Sequence, residues 1–187
     1  MITDKLIDEL KRYVKEHYKL VSLPELFPFP AKSKSPNFSE LGKGIMLDKD
    51  FGEVADKLSV FVKEKRRHDT FAHALEKLRE EKGMGEPELY KAAWVDRRLY
   101  WKIRNADKPY KPSKDTALQF AFALKLEEPE FTGFLKNAGF ALSDSSVRDL
   151  VFRFCVEWRI FDLHDVNALL LEEKQNVLCK EPREDEE

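Results

Sequence analysis

The chain has 187 residues, 42% of them hydrophobic, and carries 33 Lys and Arg against 35 Asp and Glu for a net charge of −2. That apolar content supports one well-buried core with an appendage, or two small domains, and it excludes disorder throughout. Met1 to Leu20 is too heavily charged for a signal peptide, no apolar run approaches a bilayer span, and two cysteines make no disulfide framework. The expectation is a cytoplasmic protein with no membrane partner.

In chain order, Ile2 to Leu20 sets Leu6, Leu10, Tyr13, Val14 and His17 on one stripe with charged residues opposite, which predicts an amphipathic helix. Periodicity then fails from Ser22 to Asp50, where Pro24, Pro28, Pro30 and Pro36 mark an extended arm anchored by Leu26, Phe27 and Phe29. Phe51, Val54, Leu58, Phe61 and Val62 predict a second helix ending in Lys63, Lys65, Arg66 and Arg67. That basic cluster suits either a phosphate backbone or the dipole of its own helix.

Asp69 or Thr70 caps a third helix with Phe71, Leu75 and Leu78 inward, closed by Gly83 and Gly85. A short helix from Glu86 to about Ala93 follows, and Asp96 caps the next, which runs to Arg104. At 100° per residue, Leu99, Tyr100 and Ile103 of this helix share one apolar side, while Arg97, Arg98, Trp101, Lys102 and Arg104 fill the rest. Two short helices about a tight turn, the second with a basic, Trp-centred face, have the sequence form of a helix-turn-helix.

Pro109 and Pro112 forbid helix in the following loop, and Ser113 caps the segment from Lys114 to Leu126, which is apolar almost all round and is the expected centre of the core. Pro129 to Ala138 makes a short helix ending at Gly139. Ser145 or Ser146 opens a longer one whose Val147, Leu150, Val151, Phe154, Trp158 and Phe161 form a sustained core face. Asp162 caps a last helix bearing Leu163, Val166, Leu169 and Leu170. Seven Gly against 14 Phe, with no period-2 alternation, predict an all-α fold. The division read from the sequence is residues 1–50 (helix and arm), 51–174 (helical domain) and 175–187 (acidic, disordered tail).

Charge is distributed unevenly. Between Lys91 and Lys114 eight basic residues, Lys91, Arg97, Arg98, Lys102, Arg104, Lys108, Lys111 and Lys114, face two acidic ones, a net of +6 that leaves −8 elsewhere. A local basic band on an acidic body holds phosphates without making the protein a non-specific polycation, and a solvated surface is the plainer reading of the same run.

From Glu88 the residues Glu88, Leu89, Val95, Asp96, Tyr100 and Ile103 resemble the Xre/lambda-repressor-like helix-turn-helix pattern, and Pro112, Ser113, Thr116, Ala121, Leu124 and Leu126 resemble that family's fourth helix. More closely, the runs YKAAWVDRRLYWKIR, YKPSKDTALQFAFALKL, FLKNAGFALS and IFDLHDVNALL are similar to a little-characterised bacterial helix-turn-helix family, found alone or attached to domains such as macro domains. The resemblance spans about residues 70 to 174 and implies a lambda-repressor-like bundle with extra C-terminal helices. Three positions depart from the pattern: Tyr90 where repressors carry a small Ala at the helix crossing, Trp94 where a Gly allows the sharp turn, and Arg104 where a glutamate ends the third helix.

On this reading Arg97, Arg98 and Trp101 face base edges, and Lys102, Arg104, Lys108 and Lys111 contact phosphates, with Lys114 at the end of the band. The expected function is a dimeric DNA-binding regulator of bacterial or phage origin, since one reading helix buries little surface. The alternative is a helix-turn-helix fold used as a protein-interaction adaptor or inhibitor in a defence or mobile-element system, with Trp101 as an interface anchor and the N-terminal helix and arm embracing the partner. His17, His68, His73 and His164 are scattered, no metal-binding or phosphate-loop motif occurs, and Cys155 lies beside the apolar stripe. No catalytic site, metal or cofactor is expected.

Overall fold

The computed structural model describes residues 2–19, 51–65, 70–105 and 110–180, with side chains placed only for 54–62 in the second of these. Among the described residues there are nine helices and no strand, as an all-α fold requires. They are α1 (Asp4–His17), α2 (Phe51–Lys65), α3 (Phe71–Glu81), α4 (Glu86–Ala92), α5 (Arg97–Arg104), α6 (Lys114–Ala123), α7 (Glu130–Asn137), α8 (Val147–Glu157) and α9 (Leu163–Glu172). None is long and apolar enough to cross a membrane. The arm with Leu26, Phe27 and Phe29, the side chains of Lys63, Lys65, Arg66 and Arg67, Asp69, Lys108 and residues 181–187 lie outside the described residues.

Helix starts follow short polar side chains. Thr70, Ser113 and Ser146 accept from the amides of His73, Thr116 and Asp149 at 3.3, 3.1 and 3.3 Å. Asp96 and Asp162 do the same for Arg98 and His164 at 2.6 and 2.8 Å. Each satisfies an amide that the first turn of a helix leaves without a partner.

Helix ends share a second device. After α3, α4, α6, α7, α8 and α9 the chain steps into the left-handed region, at Gly83, Trp94, Lys125, Gly139, Arg159 and Lys174. The next residue then donates its amide five residues back, as from Met84 to Arg79, Val95 to Tyr90, Leu126 to Ala121 and Ile160 to Cys155, at 2.8 to 3.1 Å. Met84, Val95, Leu126, Phe140 and Ile160 thereby turn onto the core. Glycine marks two of these six stops; the other four place an ordinary side chain where left-handed backbone is costly.

The core is built around α6, in which Thr116 to Leu124 are all buried. Helices α4, α7 and α9 pack against it, α3 packs on α5 and α7, and α8 packs on α9. Leu10 and Val14 bury α1 against α8 and α9, so the N-terminal helix belongs with residues 69–187 in one compact unit, while residues 21–68 form another. This differs from the sequence division, which set 1–50 apart and joined α2 to the domain. Within the second unit α2 forms where its spacing predicts, with Val54, Leu58 and Val62 exposed.

Three details depart from the sequence reading. Helix α8 stops at Glu157, just after the buried Phe154, Cys155 and Val156, and Trp158 stacks on Phe154 from outside at 5.2 Å, half exposed. His17 is likewise exposed, stacked on Tyr13 with centroids 4.0 Å apart. Residues 175–180, assigned to the tail, are pinned: Leu178 is buried, Asn167 accepts from its amide at 2.8 Å, and the Asn167 amide donates to the Cys179 carbonyl at 2.9 Å.

Glycine at a left-handed stop removes the backbone penalty at the cost of extra freedom in the unfolded chain. Lys125→Gly and Lys174→Gly should each raise stability by about 0.5 kcal/mol in urea denaturation, whereas Lys77→Gly, mid-helix in α3, should lower it by about 1 kcal/mol. Destabilisation at both stops would contradict this account of the helix ends.

Candidate nucleic-acid interface

Eight residues are too few for a helix to persist in water unaided, so α5 stands only through what holds it. At its start Asp96 caps the first turn. The turn before it is clamped from behind, since the Gln119 side-chain amide of α6 donates to the carbonyls of Ala93 and Trp94 at 3.1 and 3.4 Å. Trp94 takes φ +51° and sets its indole edge-on to His164 of α9 with centroids 4.5 Å apart. A large residue at the tight turn is accommodated by left-handed backbone and a seat against α9.

The back of α5 is apolar and closed. Tyr100 and Ile103 are wholly buried, and the Tyr100 ring packs between Tyr90 at 5.9 Å and Phe120 at 6.3 Å. A buried phenol needs a partner for its hydroxyl, and Tyr100 donates to Glu76 Oε1 at 2.6 Å. The other oxygen of Glu76 accepts from Arg79 Nε and Nη2 at 3.1 and 3.0 Å, while Arg79 Nη1 donates to the Met84 carbonyl at 2.9 Å. Arg104 joins from the end of α5, paired with Glu86 at the start of α4 and 3.8 Å from Glu76. One carboxylate on α3 therefore ties α3, the α3–α4 turn and α5 together, with Glu86 adding α4.

The front of α5 is basic and open. Arg97, Arg98 and Lys102 are exposed, and Trp101 keeps 44% of its surface in solvent. No carboxylate among the described residues pairs with Arg97, Arg98, Lys102 or Lys111. The Lys102 ammonium sits 5.3 Å from the centre of the Tyr110 ring, and the Arg104 guanidinium 5.7 Å from that of Trp101.

Of the residues singled out in the sequence, Arg97, Arg98, Trp101 and Lys102 share this helix face, and Lys111 is exposed on the loop beyond it. Two others are committed elsewhere. Arg104 is held by Glu86 and Glu76, and Lys114 places its ammonium 2.7 and 2.6 Å from the two oxygens of the buried Asp149, which also accepts from the Ser143 amide. Sequence reasoning missed Glu76 and Glu86, which one chain among many carboxylates does not distinguish, and Gln119, hidden in an apolar run. Burial raises the pKa of the Cys155 thiol, and burial, opposed by hydrogen bonds with Gln119 and Asn167, takes Cys179 up to about 11, so both stay protonated near neutrality. No protein-family model, curated protein or solved structure matches the chain.

Burial, then the hydrogen bond to Glu76, raises the Tyr100 pKa well above its ordinary value, and burial with Glu157 does the same for Tyr13. A raised folded-state pKa contributes stability that is complete below the unfolded value, about 10, and is lost as pH climbs toward the folded one. The melting temperature should therefore fall steeply above about pH 10, and less steeply in Tyr100→Phe. Identical alkaline slopes for the two proteins would show that the phenol is not held this way.

Proposed function

We propose that the chain is a non-enzymatic DNA-binding regulator of bacterial or phage origin, with α3 to α7 arranged as a lambda-repressor-like helix-turn-helix bundle and α8 and α9 as extra helices. The observation that carries this is the division of α5: Tyr100 and Ile103 buried behind, and Arg97, Arg98, Trp101 and Lys102 exposed in front. Arginine pairs bidentately with guanine in the major groove, and lysine neutralises phosphate. On this reading Arg97, Arg98 and Trp101 face bases, and Lys102 and Lys111 contact phosphates. Lys108 belongs to the same loop. Arg104 becomes a support of the helix.

A homodimer on two half-sites is part of the proposal, because a single short reading helix buries little surface. The adaptor reading keeps one specific support, the half-exposed Trp101 among arginines, a pairing common at protein hot spots. A partner engaging α1 would meet its charged side, as Leu10 and Val14 serve the chain's own core.

Duplex affinity measured by fluorescence anisotropy should fall linearly in log–log form with salt. Lys102→Ala should reduce the slope by about one unit, whereas Arg104→Ala should leave it nearly unchanged while lowering stability. Absence of binding, or salt-independent binding, would count against DNA and for the adaptor.

A further inference from the structure

Trp101 is a costly residue to leave in water, and its position on α5 is fixed. Arg104 lies over its ring at 5.7 Å and is itself held by Glu86 and Glu76, so one side of the indole is supported and 44% of the residue remains open. Arg97 and Arg98 stand four and three residues before it, one turn away on the same exposed face.

Such neighbours are about 5–6 Å apart at Cβ, close enough for their long side chains to reach neighbouring base pairs, which stack about 3.4 Å apart. An indole offers one N–H and no acceptor, and the acceptors it would meet in the major groove occur on guanine, adenine and thymine alike. Its hydrogen bond therefore discriminates poorly, whereas its ring is a broad apolar surface. The apolar group on the major-groove edge of B-DNA is the methyl at C5 of a pyrimidine, present on thymine and on 5-methylcytosine.

We infer that Trp101 reads the 5-methyl group of a pyrimidine lying next to a guanine held by Arg97 or Arg98. The inference rests on the DNA-binding reading of the same face and adds its specificity determinant. The Glu76–Glu86–Arg104 relay is what pre-organises the ring, since an indole free to swing would lose contact with a group as small as one methyl.

The test uses duplexes that the full chain retains from a random pool, copied enzymatically with deoxyuridine in place of thymidine or with 5-methylcytosine in place of cytosine. Deoxyuridine removes only the methyl. Wild-type protein should bind the thymine copy about four-fold more tightly than the uracil copy if thymine carries the methyl. It should bind the 5-methylcytosine copy tighter by a similar factor if the methyl lies on cytosine. Trp101→Ala should treat all copies alike, and Trp101→Phe should keep part of the preference. Retained duplexes bound equally in every copy by wild-type protein would overturn the inference while leaving DNA binding intact. Failure to retain any duplex would overturn both.

Discussion

The Tyr100 phenol on Glu76 is the interaction on which the candidate surface depends. A helix of eight residues has no stability of its own, and a basic, Trp-bearing front contributes nothing to holding it. What fixes α5 is a buried ring whose one polar atom is satisfied by a carboxylate on α3, a carboxylate in turn surrounded by Arg79 and Arg104. A charged group so placed is tolerable because arginines and a phenol share it. The exposed residues then inherit a defined direction from the buried ones, and Arg97, Arg98 and Trp101 project together because Tyr100 and Ile103 point the other way.

The same logic runs through the rest of the unit. Helices here are short, and at six of them a left-handed stop ends the helix within a residue or two, five of the six turning an apolar side chain onto the core. Strain at Trp94 is offset by Gln119 on its carbonyl and His164 beside its ring. The turn before α5 is thus set by contacts from α6 and α9, elements distant in sequence from the surface they support.

Much of the fold was legible from the chain. Capping residues announced α3, α5, α6, α8 and α9, because a Ser, Thr or Asp before an apolar period has a local reason to be there. Stops were legible only at Gly83 and Gly139. At Lys125, Arg159 and Lys174 nothing in the residue type signals left-handed backbone, which is why helical spacing carries the α8 stripe on to Trp158 and Phe161. For the candidate site, helical spacing alone separated the buried back of α5 from its basic front. It could not show which cations were already committed, since Arg104 to Glu86 and Lys114 to Asp149 are pairings between separate helices. Nor could it show the burial of Leu178, since the three-residue run Val177 to Cys179 lies between polar stretches and shows no helical period.

The central proposal is that the front of α5 is the surface that meets duplex DNA. Amide and indole chemical shifts recorded while a retained duplex is added test it most directly. The account predicts the largest changes at the backbone amides of Arg97, Arg98 and Lys102 and at the Trp101 indole N–H, with Tyr100 and Ile103 moving little. Changes confined to other helices, with residues 97–102 unaffected, would contradict it.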